Sequence, residues 1–139
     1  MLDTNIVSHA MKPEPSPALL AWLEALPDEQ LFISSLTVAE IWRGVLDKPA
    51  GRKRGVLAAW FSGLDGPPAL FAGRILPFDE RAALVWARLM SEGRETGRPR
   101  SALDMTIASV AVVNDCTVAT DNARDFAGLD TVNPLRPSR

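Results

Sequence analysis

Residues 1–8, Met-Leu-Asp-Thr-Asn-Ile-Val-Ser, pass from an apolar start to an acid and then to a helical pattern. We predict that Met1–Asp3 is the stub of a first strand and that Asn5–Met11 is a short helix. Such a strand is very short, so either it begins upstream of Met1 or the edge of the sheet is ragged here. The stretch indicates an α/β fold with an acid at its first strand-to-helix turn.

Acidic side chains recur at the later strand-to-helix turns. Glu40 and Asp104 each lie near the start of a predicted helix, and Asp121 and Asp125 follow an apolar strand. In a parallel sheet these turns lie along one edge, so we expect the four acidic positions to share one crevice. Neighbouring carboxylates raise one another's pKa, and a hard cation such as Mg²⁺ or Mn²⁺ removes that repulsion. The pattern favours a metal-dependent phosphodiester hydrolase.

Short apolar runs alternate with helical periodicity along the chain, which predicts βαβ units and a parallel sheet. The later predicted strands are Leu31–Ser34, Ile75–Phe78, Thr117–Thr120 and an edge strand at 132–134. The predicted helices are one capped by Ser16, then Thr37–Leu46, Arg52–Leu64, one capped by Asp79 and running to about Thr96, and Ala102–Asn114. Residues 65–68 are predicted to form a loop, and residues 121–127 a turn or short helix.

Length and composition limit the class of protein. With 139 residues, 47% of them hydrophobic and 23% charged, the chain is expected to be one globular domain over residues 1–139. A net charge of −2 gives no basic coat for nucleic acid, although local patches remain open. Cys116 is the only cysteine, which excludes a disulfide framework and fits a reducing cytoplasm. No apolar stretch reaches the length of a membrane span, and the start shows no secretion signal.

Helix capping is the competing explanation of the acids. Thr37 with Glu40, and Ser101 with Asp104, both match the capping-box spacing, and for any single acid capping is the simpler explanation. Asp3 could equally belong to a turn in which its side chain bonds its own backbone. Capping does not explain why all the acids fall on one sheet edge, since Ser, Thr or Asn would cap as well.

The fourth acidic position is left open between two residues. Asp121 and Asp125 are four residues apart, so both could face the crevice if this stretch is helical. Either could be the fourth acid, and the other could then pair with Arg124. His9, the only histidine, is expected to be a surface or capping residue more readily than a metal ligand.

Several motifs in order resemble one known family. Residues 2–8 resemble the opening motif of PIN-domain ribonucleases, in particular the VapC and FitB-like toxins of bacterial toxin–antitoxin pairs. The resemblance continues, over nearly the whole chain, through residues 35–41, 43–45, 74–79, 97–104, 120–126 and 132–134. It implies a three-layer α/β/α sandwich with a central, mostly parallel sheet of four or five strands. Two departures are the short first strand and Asp121, which stands where a basic residue is common.

The resemblance also implies roles for individual residues. Asp3, Glu40 and Asp104 take the three main acidic roles, and Asn122 with Asp125 is the expected fourth position, with Asp121 beside them. Asp3 and Asp104 would hold Mg²⁺ or Mn²⁺, and Glu40 would bind through water or position the nucleophile. Hydrogen bonds from Thr4 or Asn5 are expected to orient Asp3. The residues expected to contact an RNA backbone are Arg43, Arg98 and Arg100, with Arg94 as a further candidate.

The implied protein is a cytoplasmic ribonuclease toxin, a homodimer held inactive by a small cognate antitoxin. The antitoxin is expected to lie in an apolar groove near the exposed side of Arg52–Leu64 and near residues 5–26. The alternative is a non-catalytic PIN-like regulator that binds nucleic acid or a partner without cutting, and a full acidic set argues against it. A phosphatase or phospho-acceptor receiver is a weaker third choice, because an acidic pair at the first strand end and a late Lys are both absent.

Overall fold

The computed structural model describes residues 1–136, and short parallel strands form the centre of the fold. Strand β1 (Ile33–Ser34) pairs with β2 (Ile75–Leu76), placing Ile33 opposite Ile75. Strand β3 (Val118–Ala119) pairs with β4 (Thr131–Val132), placing Val118 opposite Thr131. All of these pairs are parallel, as the alternating pattern predicts.

Residues 1–3 connect the two strand pairs through backbone hydrogen bonds. The amide of Leu2 donates to the Phe32 carbonyl at 2.8 Å, and the amide of Asp3 donates to the Ala119 carbonyl at 2.9 Å. Ala119 in turn donates to the Met1 carbonyl at 2.8 Å. The predicted first strand therefore exists as a single-bridge segment between β1 and β3. Regular pairing covers only two residues in each strand, so the predicted sheet of four or five strands is resolved as two small pairs.

Most of the α-helices begin at a residue with a short polar side chain. Ser16 and Asp79 cap the helices predicted to follow them, and Ser101 accepts a hydrogen bond from the amide of Asp104. The α-helices are α1 (Thr4–Ala10), α2 (Pro17–Glu24), α3 (Ser35–Leu46), α4 (Arg52–Ser62), α5 (Pro67–Leu70), α6 (Glu80–Glu95) and α7 (Ala102–Val113). Two 3₁₀ turns cover Asp28–Gln30 and Ala123–Phe126.

The prediction of a loop at residues 65–68 is wrong in part, because α5 begins at Pro67. Proline at the first helical position loses no internal hydrogen bond, so this pair of prolines opens a helix instead of preventing one. Gly66 allows the chain just before α5 to pass close to the backbone of α4, since a Cβ there would lie 1.9 Å from the Phe61 carbonyl oxygen. Helix α4 ends at Ser62, which leaves Leu64 outside it and 89% exposed.

Helix α7 lies in the core and so fixes the position of its own first turn. Its residues Met105, Ile107, Ala108, Val110 and Ala111 are all buried, in a cluster that also includes residues of α6 and β3. A second buried cluster joins α1 and α2 to the first residues of the chain and to β1 and β3. Within residues 1–136, no helix has the length and apolar character needed to cross a membrane.

Candidate active site

Asp3 is the most buried acid of the predicted set. Its backbone is held between β1 and β3, and its side chain is the N-cap of α1, with only 3% of the residue exposed. One carboxylate oxygen accepts from the Thr4 amide at 2.8 Å, and the other accepts from the Thr120 hydroxyl at 2.9 Å. Two donors from different parts of the chain therefore fix the orientation of this carboxylate.

A chain of hydroxyl groups leads from β1 to Glu40. Because a carboxylate only accepts, the Thr4 hydroxyl donates to Glu40 Oε1 at 2.8 Å and so accepts from Thr37 at 3.1 Å. Thr37 in turn accepts from the Ser34 hydroxyl at 3.3 Å. Each hydroxyl has one proton, so the chain has a single direction, which ends at Glu40.

The capping-box explanation of Glu40 is wrong. Helix α3 begins earlier than predicted, at Ser35, and its N-cap is Ser34, which accepts from the Thr37 amide at 3.1 Å. Glu40 therefore lies in the second turn of α3 and bonds to α1 through Thr4. At the second predicted capping box the cap is present, since the Asp104 amide donates to Ser101 at 3.3 Å. The carboxyl group of Asp104 interacts both with the Ser101 side chain, which lowers its pKa, and with Asp125, which raises it.

The acids of four separate segments interact electrostatically. Burial raises the pKa of Asp3 to about 6, and the charges of Asp104 and Glu40 raise it as well. The hydrogen bonds from Thr120 and Thr4 act in the opposite direction. The pKa of Asp104 is also raised. Partial burial is the largest cause, and the nearby charges of Asp125 and Glu40 raise it further. We call Asp3, Glu40, Asp104 and Asp125 the acidic centre.

Asp121 and Asp125 point to different partners. Asp125 contacts Asp104 and accepts from the side-chain amide of Asn122. Asp121 instead bonds to His9 Nε2 at 3.1 Å. Lys12 carries only donors, so it donates to His9 Nδ1 at 3.1 Å and leaves Nε2 as the N–H that donates to Asp121. The stretch is a 3₁₀ turn and not an α-helix, so the four-residue spacing does not place both acids on one face.

The remaining predicted site residues differ in their exposure and in their hydrogen-bond partners. Asn5 is exposed on α1 and makes no side-chain hydrogen bond within residues 1–136, whereas Thr4 orients Asp3 through its amide. Arg43 is 75% exposed and pairs with Asp47 at 3.5 Å. The Arg100 side chain is 20% exposed, and its guanidinium donates to the Leu89 carbonyl at 3.0 Å.

Sequence reasoning missed three hydroxyl residues of the site. Thr120 holds Asp3, and Ser34 and Thr37 lead to Glu40. All three are fully buried, although their side chains are polar. The available signal was position, since Ser34 and Thr120 each directly follow or end a short apolar strand at the edge where the acids collect.

The donor set is all oxygen, which suits a hard cation. Within the described part of the chain, no group of three or more His, Cys, Asp or Glu side chains forms a ready-made metal cage. Mg²⁺ commonly uses one or two carboxylates and completes its shell with waters and substrate phosphates. The coupled pair Asp3 and Asp104 fits that open arrangement, because a cation beside them would relieve the burial and repulsion that raise the pKa of both.

Comparison with known proteins shows the family of the chain. The PIN-domain family profile matches residues 1–131. The chain is 41% identical over 140 residues to VapC ribonuclease Y4jK of Sinorhizobium fredii, covering 99% of both chains. It is 38% identical over 130 residues to Toxin FitB of Neisseria gonorrhoeae, covering 94% of this chain and 92% of that one. The crystal structure of FitAcB from the same organism superposes with a TM-score of 0.87 at 38% identity, over 98% of each chain.

Proposed function

Because this chain belongs to the PIN-domain family, we propose that it is a ribonuclease toxin of a toxin–antitoxin pair. It acts as an endoribonuclease that hydrolyses phosphodiester bonds of RNA and depends on Mg²⁺ or Mn²⁺. The observation that carries the proposal is the electrostatic coupling of four carboxylates from distant segments in the acidic centre. A fold gains no stability from crowding like charges, so their convergence points to chemistry.

The metal would be held by Asp3 and Asp104, with Asp125 completing the site. When bound, the cation supplies Lewis-acid activation of water and charge neutralisation at the phosphate. The protein's contribution is orientation. Thr120 and the Thr4 amide fix both oxygens of Asp3, while Asn122 holds Asp125 against Asp104.

Glu40 would position the attacking water and accept its proton. The hydroxyl chain ends at Oε1 of Glu40, while Oε2 accepts no hydrogen bond within residues 1–136. A carboxylate oriented on one side and open on the other can bind a water in a defined direction. In this assignment Asp121 is a peripheral residue, since His9 engages it.

The wider proposal covers assembly and location. A cognate antitoxin and a second copy of the chain are its partners, and the cytoplasm is its compartment. The relative Toxin FitB supports the first of these. An apolar cleft of about 390 Å³, lined in part by Val7, Met11, Leu23 and Phe71, is a suitable seat for an antitoxin segment. It overlaps the predicted region of residues 5–26 but includes no residue of the predicted segment Arg52–Leu64.

We also propose that residues 1–139 form one domain with a three-layer α/β/α arrangement. Hydrogen bonds connect β2, β1, residues 1–3, β3 and β4 in that order, which supports a single five-segment sheet. The family profile, which spans residues 1–131, supports a single domain.

The central test is cleavage of single-stranded RNA by the purified protein with Mg²⁺, with Mn²⁺ and with a chelator. Asp104→Asn should abolish cleavage without unfolding the protein, because Asn keeps the shape but not the charge. Asp79→Asn is the matched control, since Asp79 is exposed and only caps α6, a role that Asn fills equally well. Parent-level cutting by Asp104→Asn would refute the site.

Two further variants separate the candidates for the fourth acid. Asp125→Asn should lower kcat strongly, whereas Asp121→Asn should leave it within a few-fold of the parent. The reverse ranking would move the fourth acid to Asp121. If the parent binds RNA but never cuts it with any divalent cation, the non-catalytic PIN-like regulator becomes the correct function. Growth arrest in a bacterial host, relieved by the chromosomal neighbour, would test the toxin role.

A further inference from the structure

A wide cleft opens directly beside the acidic centre. Its volume is about 920 Å³, and its walls are the segment before α7 on one side and the second 3₁₀ turn with the residues just after it on the other. Asp125 lines the cleft and contacts Asp104, and Ser101 lines it while capping the helix that carries Asp104. We call this space the arginine cleft; its lining residues are Thr96, Arg98, Pro99, Arg100, Ser101, Arg124, Asp125, Ala127 and Gly128.

The cleft is positively charged although the whole chain is not. Three arginines line it against a single acid, Asp125, while the chain as a whole carries −2. Arg98 and Arg124 are exposed, and within residues 1–136 neither guanidinium takes part in an ion pair or a side-chain hydrogen bond. Their donors are therefore available to an anion, and a guanidinium matches phosphate geometry well.

Arg100 has a different role, because its guanidinium is already used. It donates to the Leu89 carbonyl of α6 at 3.0 Å and, from its own wall of the cleft, reaches the Ala127 carbonyl on the other wall at 3.4 Å. It also lies 3.8 Å from Glu92. Arg100 therefore joins the two walls of the arginine cleft, so that Arg98 and Arg124 face one space.

We propose that the arginine cleft binds the RNA backbone flanking the cleaved bond, with Arg98 and Arg124 contacting phosphates of neighbouring nucleotides. This inference rests on the proposed ribonuclease function. An acidic centre repels the polyanion that it must cut, and two cations beside Asp125 offset that repulsion where the strand leaves the centre. A space of about 920 Å³ lies at the upper end of ordinary ligand pockets, which is room for an extended, unpaired segment. The preferred substrate is therefore single-stranded RNA with several nucleotides beyond the cut, and Arg100 is a positioning residue.

The test compares Arg98→Ala, Arg124→Ala and the double variant on two RNA substrates. One substrate extends several nucleotides on both sides of the cut, and the other carries a single nucleotide on each side. The control is Arg88→Ala, which removes one exposed charge paired weakly with Glu92 at 3.9 Å, outside the cleft lining. RNA binding is measured in parallel with each substitution placed in the inactive Asp104→Asn background.

On the long substrate the double variant should raise KM about tenfold with kcat unchanged, as the loss of charged hydrogen bonds predicts. The slope of log affinity against log salt should fall in magnitude by about 1.4, since each single-strand phosphate contact contributes about 0.7. On the short substrate the parent and the variants should be alike. An unchanged KM and salt slope on the long substrate would overturn the inference, as would an equal loss of kcat on both substrates.

The outcomes separate this inference from the proposed function. If the parent cuts RNA and the arginine variants behave as the parent does, the cleft is not a backbone site and the ribonuclease function stands. If the parent fails to cut RNA, the ribonuclease function fails, and loss of binding in the Asp104→Asn background still reports on the cleft. Equal binding by the double variant and Arg88→Ala in that background would rule out the cleft on its own.

Discussion

Replacing Asp3 by Asn should stabilise the metal-free protein while abolishing RNA cleavage. Burial raises the pKa of Asp3 from 3.8 to about 6. At about 1.4 kcal/mol per pH unit, the ionised carboxylate costs the folded state about 3 kcal/mol at neutral pH. Asn has the same shape without the charge. Its oxygen can accept from the Thr4 amide, and its NH₂ can donate to the Thr120 hydroxyl oxygen.

The sign of the pH dependence follows from the direction of the shift. The folded protein binds the Asp3 proton more tightly than the unfolded chain does. The stability that Asp3 contributes is therefore fully present below about pH 3.8, declines as pH rises through about 6, and is absent above that. The Asn variant lacks this titration, so its advantage over the parent should grow by about 2 kcal/mol between about pH 4.5 and about pH 7.5.

Urea unfolding in the presence of a chelator, at both pH values, measures this difference. Asp79→Asn is again the control for the exchange of Asp by Asn, because it changes an exposed cap outside the acidic centre. Added Mg²⁺ should stabilise the parent and not Asp3→Asn, because only a cation bound to the folded state shifts unfolding. If Asp3→Asn is equally destabilised at both pH values, the ionised form of Asp3 does not destabilise the folded protein.

Two other substitutions probe the supporting structure. Thr120→Val removes the hydroxyl that donates to Asp3, so kcat/KM should fall about 10- to 100-fold while Thr120→Ser restores it; equal activity of the Val and Ser variants would contradict this role. Gly93→Ala should destabilise the protein by about 1 kcal/mol and raise KM, because a Cβ there would lie 3.0 Å from the Arg98 carbonyl oxygen. Gly44→Ala, with nothing within 4 Å of the added Cβ, should be neutral or stabilising in the same urea unfolding assay.

Local signals predicted the helices well. Ser16, Asp79 and Ser101 were predicted as caps and act as caps, because a cap depends on amides only two or three residues away. The error at residues 65–68 has the same local origin, since two prolines were taken as a break where they begin α5. Strand positions were also correct, but the pairing proved shorter than predicted.

The proximity of the acids was predicted from the sequence, while their role as an active site stays a prediction. Asp3, Glu40, Asp104 and Asp125 belong to the predicted set and do interact. Thr4 was predicted to orient Asp3 and its amide does so, whereas Thr120 was missed because it acts over a long distance in the chain. Thr120 is 117 residues from Asp3 in sequence, and no local pattern records such a contact.

The amino-acid sequence by itself determined the family, the parallel character of the strand pairs and the placement of acids near strand ends, because periodicity and turn position are local properties of the chain. Only the tertiary structure decided how those acids are used. In the folded protein Glu40 accepts a hydrogen bond from Thr4, and Asp121 bonds to His9 and not to the acidic centre. It also set Arg98 and Arg124 around one cleft. These choices depend on which distant segments pack together, and that follows from burial of the whole core.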